Sequence, residues 1–131
     1  MYVPPGFGTV TPYFFVAGAE AFVAFLGAAF GGTEVLRSLR PDGRIANAQV
    51  RIGSATVMVS EASPAYPPMA ASYYLYVADA DATMARALAA GGTLEMAVQD
   101  MPYGDRQGGI RDPHGNLWWV SQRLVEGPYS V

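Results

Sequence analysis

The apolar positions of this chain change period several times, and the changes mark its elements. From Thr9 to Val16, valine, threonine and aromatic residues crowd together, a strand composition. From Ala19 to Phe30 the spacing becomes helical, with Phe22, Phe25, Leu26 and Ala29 on one stripe, and Gly31-Gly32 stops the run. Thr33 to Leu39 predicts a strand. Arg40-Pro41-Asp42-Gly43 predicts a turn, because Pro presets φ and Gly accepts a positive φ. Ile45 to Ile52 and Thr56 to Glu61 predict two more strands around Gly53-Ser54. The stretch 62–71 holds Pro64, Pro67 and Pro68 and reads as a linker. Beyond it, Ser72 to Val77 predicts a strand. A helix follows, capped by Asp79 or Asp81 and running to Ala90, with Met84, Leu88 and an alanine-rich face. Gly91-Gly92 ends it. Thr93 to Val98, Arg106 to Arg111 and Leu117 to Leu124 complete the strands, the last entered through the turn Asp112-Pro113-His114-Gly115-Asn116. Residues 125–131 read as a loose end or an edge contact.

The order strand–helix–strand–strand–strand thus occurs twice, and the residues repeat with it. Tyr13, Val16, Ala17, Ala19 and Ala21 fall on Tyr74, Val77, Ala78, Ala80 and Ala82. The match continues through Ala24/Ala85, Ala28/Ala89 and Ala29/Ala90. After a one-residue gap, Gly31-Gly32-Thr33 falls on Gly91-Gly92-Thr93. In 131 residues a repeat this long leaves room for two copies, whereas a solenoid stacks three or more shorter units. The expected architecture is α+β: two β-α-β-β-β modules, 9–61 and 72–124, joined by the linker 62–71 in a single domain spanning 1–131. A shared cavity is expected where the modules meet.

Composition narrows what such a fold can do. With 51% apolar and only 15% charged residues, the chain should bury a real core rather than stay disordered. A net charge of −3 without a basic run argues against nucleic acid, whose binding needs clustered Lys and Arg to replace counterions. The absence of Cys excludes thiol catalysis, disulfides and thiolate metal sites. Before Glu34 the sole charge is Glu20, but Pro4, Pro5, Gly6, Gly8, Pro12 and Gly18 interrupt the apolar run. No stretch reaches the ~20 residues a membrane span needs. A positive n-region is lacking, so the expectation is a cytoplasmic protein with no membrane partner.

The repeat, together with Tyr103-Gly-Asp-Arg-Gln-Gly-Gly-Ile-Arg-Asp-Pro-His-Gly-Asn-Leu-Trp-Trp119, resembles the glyoxalase/bleomycin-resistance group, the vicinal oxygen chelate superfamily. The resemblance runs from Thr9 to Leu124. It implies a curved mixed sheet with a cleft. In the family's enzymes that cleft holds a divalent metal on His, Gln or Glu from the first and last strand of each module. Carried over, those positions hold Thr11, Met58, Ser72 and Trp119. Divalent ions want imidazole or carboxylate from several directions, a thioether is too soft for Mg or Mn, and Trp offers only a donor. Where a related subgroup has His in the third strand this chain has Asn47, and its only His, His114, lies in a turn. The expectation is therefore the scaffold without metal or other cofactor. That argues against glyoxalase, extradiol dioxygenase and fosfomycin-transferase chemistry, each of which needs the ion.

Strand alternation puts Thr11, Tyr13 and Phe15 on one face, and Ser72, Tyr74 and Tyr76 on the equivalent face of the second module. Leu117, Trp119 and Ser121 share a face, as do Met58 and Ser60. If the family's orientation holds, these faces line the cleft, an aromatic surface with a few hydroxyls suited to a flat amphipathic small molecule. The same alternation also describes ordinary core. Bleomycin-resistance proteins, in the resemblance, sequester a drug at a dimer interface without reaction. The expected function is accordingly metal-free binding of a drug or metabolite by a homodimer, swapped or unswapped, with antibiotic resistance as one outcome. The alternative is an isomerase or lyase of the same superfamily, with side-chain acids in place of the metal or shifted ligands such as Glu61 and His114. A third reading is an interaction module with no cleft. Glu61, Glu95, Asp100 and Asp105 are expected as solvated surface charges. The alternative for Asp105 and Arg106 is that they clasp one another or a ligand. Asp112 is expected to cap its own turn.

Overall fold

Pro12 sets where the first strand begins. A computed structural model describes residues 2–129, and in it β1 is Tyr13–Val16, shorter than the predicted 9–16. Pro has no N–H to give a ladder, although its carbonyl still accepts from Met58 N at 3.0 Å. After β1 come α1 (Ala19–Phe30), β2 (Thr33–Leu39), β3 (Ile45–Ile52) and β4 (Ala55–Glu61). The second series is β5 (Ser72–Tyr76), α2 (Ala80–Ala89), β6 (Thr93–Asp100), β7 (Asp105–Arg111) and β8 (Leu117–Arg123). Apart from β1, the boundaries differ from the predicted ones by two residues at most.

The chain divides into two compact units that part between Ala70 and Ala71. Each unit holds a four-stranded mixed sheet, ordered β1-β4-β3-β2 in the first and β5-β8-β7-β6 in the second. β1 pairs β4 in parallel, with Tyr13 opposite Met58 and Phe15 opposite Ser60. β5 pairs β8 in parallel, with Tyr74 opposite Trp119 and Tyr76 opposite Ser121. The sequence repeat is therefore also a repeat of register. The expected curved mixed sheet is built as these two hydrogen-bonded sheets, one per module.

One helix covers one face of each sheet. α1 buries Phe22, Phe25, Leu26 and Ala29 against Phe14, Val16, Val50 and Val59 on the sheet. α2 buries Thr83, Met84 and Ala87, while Leu88 turns outward and is 41% exposed. Asp79, not Asp81, caps α2 by accepting Ala82 N at 3.0 Å. The Gly pairs that end the helices have two tasks. Gly31 and Gly91 take positive φ (68° and 112°). Gly32 and Gly92 let the following strand approach: a Cβ on Gly92 would lie 2.6 Å from Ile110 Cδ1, and one on Gly32 2.8 Å from Val50 Cγ1.

The opposite face of each sheet carries Tyr13, Phe15 and Met58 in the first unit and Tyr74, Tyr76 and Trp119 in the second, all partly or largely exposed. The outer strands β2 and β6 are also mostly exposed. No helix among the described residues is long and apolar enough to cross a membrane.

Candidate functional site

In the first unit the open face is organised around one tyrosine. Ser60 donates to Ala46 O at 2.6 Å, so the Tyr13 hydroxyl donates to Ser60 Oγ at 2.7 Å and receives Asn47 Nδ2 at 3.4 Å. Tyr13 stacks on Phe15 at 4.7 Å, and Phe15 stacks on Tyr66 at 5.6 Å. Tyr66 comes from the stretch expected to be a plain linker. That stretch is instead tied to β1: Met69 N donates to Phe15 O at 3.1 Å, and Ala62 N to Val16 O at 2.8 Å. The three rings, with Arg40, Ser60, Glu61 and Ser63, line a cavity of about 470 Å³. Thr11, Met58 and Gln49 line a neighbouring hollow of about 450 Å³ together with the arm 2–9.

Glu61 does not stand free at this cavity. Its two carboxylate oxygens accept the N–H groups of Gly18 (3.0 Å) and Ala19 (2.9 Å), so β4 caps the start of α1, where Gly18 has no side chain to do so. Burial alone would push the Glu61 carboxyl up. The Gly18 and Ala19 donors, helped by Arg44 and Arg40, hold it below the usual carboxylate range. Arg40 Nη2 donates to the Glu61 carbonyl oxygen.

The second unit's open face has a different centre. Asp105, expected as a solvated charge, is fully buried. Its Oδ2 accepts the hydroxyls of Tyr74 (2.6 Å), Tyr76 (2.9 Å) and Tyr129 (3.0 Å), and its Oδ1 accepts Arg123 Nη1 at 3.0 Å. A buried carboxylate is tolerated only when paired and hydrogen-bonded, and these four donors meet that requirement. Burial, then the bond to Asp105, pushes the Tyr74 phenol well above its usual range, which keeps it a donor. Beside this cluster Tyr103 donates to Gln107 Oε1, Gln107 Nε2 to Ser121 Oγ (2.7 Å) and Ser121 to Trp119 O (3.2 Å). Ser121 is fully buried beneath the tyrosines. Trp119 lies over Gly109, where a Cβ would come within 2.8 Å of the indole. Ser72, at the start of β5, is exposed.

The other acidic and turn residues have assigned work. Arg106, one residue along the strand from Asp105 and on the other side of the sheet, does not clasp it but pairs with Asp81 (2.8 Å) and Asp100 (2.9 Å). Glu95 pairs with Arg111 at 2.7 Å. Asp112 caps its turn as expected, accepting His114 N (2.8 Å) and Asn116 N (3.1 Å), and its second oxygen accepts Trp118 Nε1 at 2.8 Å. Trp118 is consequently core, on the helix side of the sheet, and Trp119 is the indole of the open face.

The expected residues fall into two groups, Thr11, Tyr13, Phe15 and Met58 on the first unit and Ser72, Tyr74, Tyr76, Trp119 and Ser121 on the second. Sequence reasoning missed Arg40 and Tyr66 in the first, and Gln107, Arg123 and Tyr129 in the second, and it read Asp105 chiefly as a solvated charge. One signal for Asp105 was present: it heads a strand whose alternate residues, Gln107 and Gly109, face the tyrosines. The residues at the carried-over ligand positions do not fit a divalent ion. Among the described residues no three His, Cys, Asp or Glu side chains gather to hold one.

Comparison with known proteins places this geometry among relatives. The family model described as "Glyoxalase/Bleomycin resistance protein/Dioxygenase superfamily" matches residues 7–120. The uncharacterized protein Mb0911c of Mycobacterium bovis is 33% identical over 128 residues, covering 89% of this chain and 84% of its own length. Among solved structures, TioX from Micromonospora sp. ML1 is similar with a TM-score of 0.70 at 28% identity, over 88% of this chain and 99% of that one. TnmS3 from Streptomyces sp. CB03234, an antibiotic binding protein, shares the fold with a TM-score of 0.71 at 22% identity, over 94% and 98%.

Proposed function

Because this chain belongs to the glyoxalase/bleomycin resistance protein/dioxygenase superfamily, we propose that it is a metal-free member that binds a small molecule and sequesters it without reaction. The observation that carries the reading is the character of the two open sheet faces. Each presents partly exposed rings above buried hydroxyl groups, Tyr13 and Phe15 over Ser60 in the first unit, and Tyr74, Tyr76 and Trp119 over Ser121 in the second. Rings of this kind hold a flat ligand by stacking, and the buried Ser60 hydroxyl fixes the Tyr13 ring from below. Thr11, Met58 and Ser72 border the same faces. The antibiotic-binding activity named for TnmS3 is consistent with a drug or related metabolite as ligand.

The polar groups suit holding rather than proton transfer. Asp105 already accepts four donors, Tyr74 is kept protonated, and Glu61 is committed to the end of α1. We read the modules as one domain in the cytoplasm, working as a homodimer with twice the 13.9 kDa chain mass.

The test is a screen of flat aromatic compounds, anthraquinones and acridines among them, by quenching of tryptophan fluorescence, followed by Trp119→Ala and Tyr13→Ala. For a compound that binds, loss of about tenfold in affinity in at least one variant, with the thermal midpoint of Trp119→Ala little changed, supports the reading. Undiminished binding in both variants places the ligand elsewhere. Elemental analysis after metal loading and desalting supplies the second arm, where one tightly held ion per chain overturns the metal-free assignment.

A further inference from the structure

The tail after β8 turns back instead of leaving the module. Leu124 donates its N–H to Gly104 O at 2.9 Å, and Arg123 Nη2 donates to Pro128 O at 3.1 Å. These bonds carry Tyr129 onto the open face. Its ring centre lies 4.6 Å from the Arg123 guanidinium carbon and 6.3 Å from the Tyr103 ring, edge to face, and its hydroxyl reaches Asp105 Oδ2 at 3.0 Å. The expected loose end is therefore bound through Tyr129, while residues 130 and 131 lie outside the described residues.

Three features set this contact apart from ordinary core. Asp105 Oδ2 already accepts two phenols, Tyr74 and Tyr76, which match its two lone pairs, and Tyr129 is the third and most distant donor. Tyr129 comes from beyond the last strand, and half of its surface is open (51%). Its ring and hydroxyl are also held separately, the ring by a cation and the hydroxyl by a carboxylate, as a small hydroxyaryl molecule would be.

We propose that Tyr129 occupies a binding subsite for a hydroxyaryl group. A ligand enters by displacing this tail residue, setting its hydroxyl on Asp105 and its ring on Arg123. The inference rests on the small-molecule-binding reading above and names the ligand class. The group is a donor, because a carboxylate accepts. It is neutral, because Arg123 at 3.0 Å balances the Asp105 charge and would repel an added cation. It is aromatic, because the guanidinium face favours a π system. Phenols, naphthols and hydroxylated quinones meet all three conditions. A tethered occupant competes at high effective concentration, so it lowers the apparent affinity of every ligand of the subsite by the same factor.

The experiment uses the full chain, wild type, Tyr129→Ala and Tyr129→Phe, titrated calorimetrically with 2-naphthol and with 2-methoxynaphthalene, which lacks the donor. The expected result is 2-naphthol bound about five- to tenfold more tightly by Tyr129→Ala than by wild type. A gain of about twofold or more is expected for Tyr129→Phe, whose ring is retained, so the result stands even if the alanine variant loosens the module. The methyl ether, which has no donor for Asp105, should bind more weakly than 2-naphthol to all three proteins. Equal binding of the two probes to Tyr129→Ala, or no gain for 2-naphthol in either variant, overturns the subsite and leaves the small-molecule reading standing. Binding of neither probe to any of the three proteins overturns both.

Discussion

The two modules share a register and differ in what sits at its centre. β3 opens on Ile45 and β7 on Asp105, and both residues are buried. Where the first unit places a hydrocarbon, the second places a carboxylate ringed by three phenols and an arginine. The contrast reaches the helix ends. Glu61 from β4 caps α1 through Gly18 N and Ala19 N. At the matching place on β8, Gln122 Oε1 accepts only Ala80 N (3.0 Å), because Asp79 caps α2 itself. The first unit has a ring-lined cavity fed by its linker, whereas the second has a polar cluster covered by its tail. A duplicated scaffold thus keeps its hydrogen-bonded ladders, since ladders do not depend on side chains. It diverges where side chains meet the open face.

Removing the charge should break this contrast most strongly. Asp105→Ala leaves Arg123 and three phenols without their acceptor and should cost about 3–5 kcal/mol in urea unfolding. Ile45→Ala, its counterpart, should cost about 2–4 kcal/mol by opening a cavity. A cost for Asp105→Ala of less than about 1 kcal/mol would mean that water replaces the four donors readily and that the cluster is not a structural centre.

The tyrosines give a finer comparison. Tyr74→Phe removes a bond to a charged group and should cost about 1–2 kcal/mol, with Tyr74 half exposed, whereas Tyr13→Phe removes a bond to Ser60 and should cost about 0.5–1 kcal/mol. Tyr74 also predicts a pH dependence. Its pKa is raised in the folded state, so its contribution is fully present below the ordinary tyrosine value of 10.0 and fades as pH rises beyond it. Urea midpoints between pH 8 and pH 11, run at ~0.1 M salt, should fall less steeply in Tyr74→Phe than in wild type. Parallel curves would remove Tyr74 from the alkaline limb.

The helix caps carry the smallest effect. Glu61→Gln should cost about 0.5–1 kcal/mol at neutral pH, because the amide can accept one N–H but not both with a charge. Since the Glu61 pKa is lowered on folding, its contribution is present above the ordinary value of 4.5 and is lost as pH falls through the folded value. Thermal melts from pH 6 down to pH 3 should therefore show a shallower acid limb in Glu61→Gln, and the Gln122→Glu variant should gain an acid limb of its own. An unchanged slope in both would show that the caps of the two units are equivalent.

How much of this was legible beforehand follows from the range of each interaction. Apolar spacing, the Gly pairs and the repeat of Tyr13 in Tyr74 are local signals, and they determined both helices, the succession of elements along each module and the faces that carry Tyr13, Phe15, Tyr74, Tyr76 and Trp119. The distinction between Trp118 and Trp119 was also there, since alternation forces neighbours to opposite faces. The start of β1 was misjudged because a β-rich composition outweighed the missing donor of Pro12. Asp105 read as a surface charge because an isolated carboxylate usually is one. What buries it are side chains from β5, from β8 and from the tail, brought together by pairings no local pattern encodes. Tyr66 and Tyr129 belong to segments without period, so only the packed chain shows that each returns to an open sheet face. Local sequence determined the scaffold, because backbone geometry and burial repeat every two or 3.6 residues. The tertiary structure alone decided the chemistry of its faces, because a carboxylate's partners are set by distance in space.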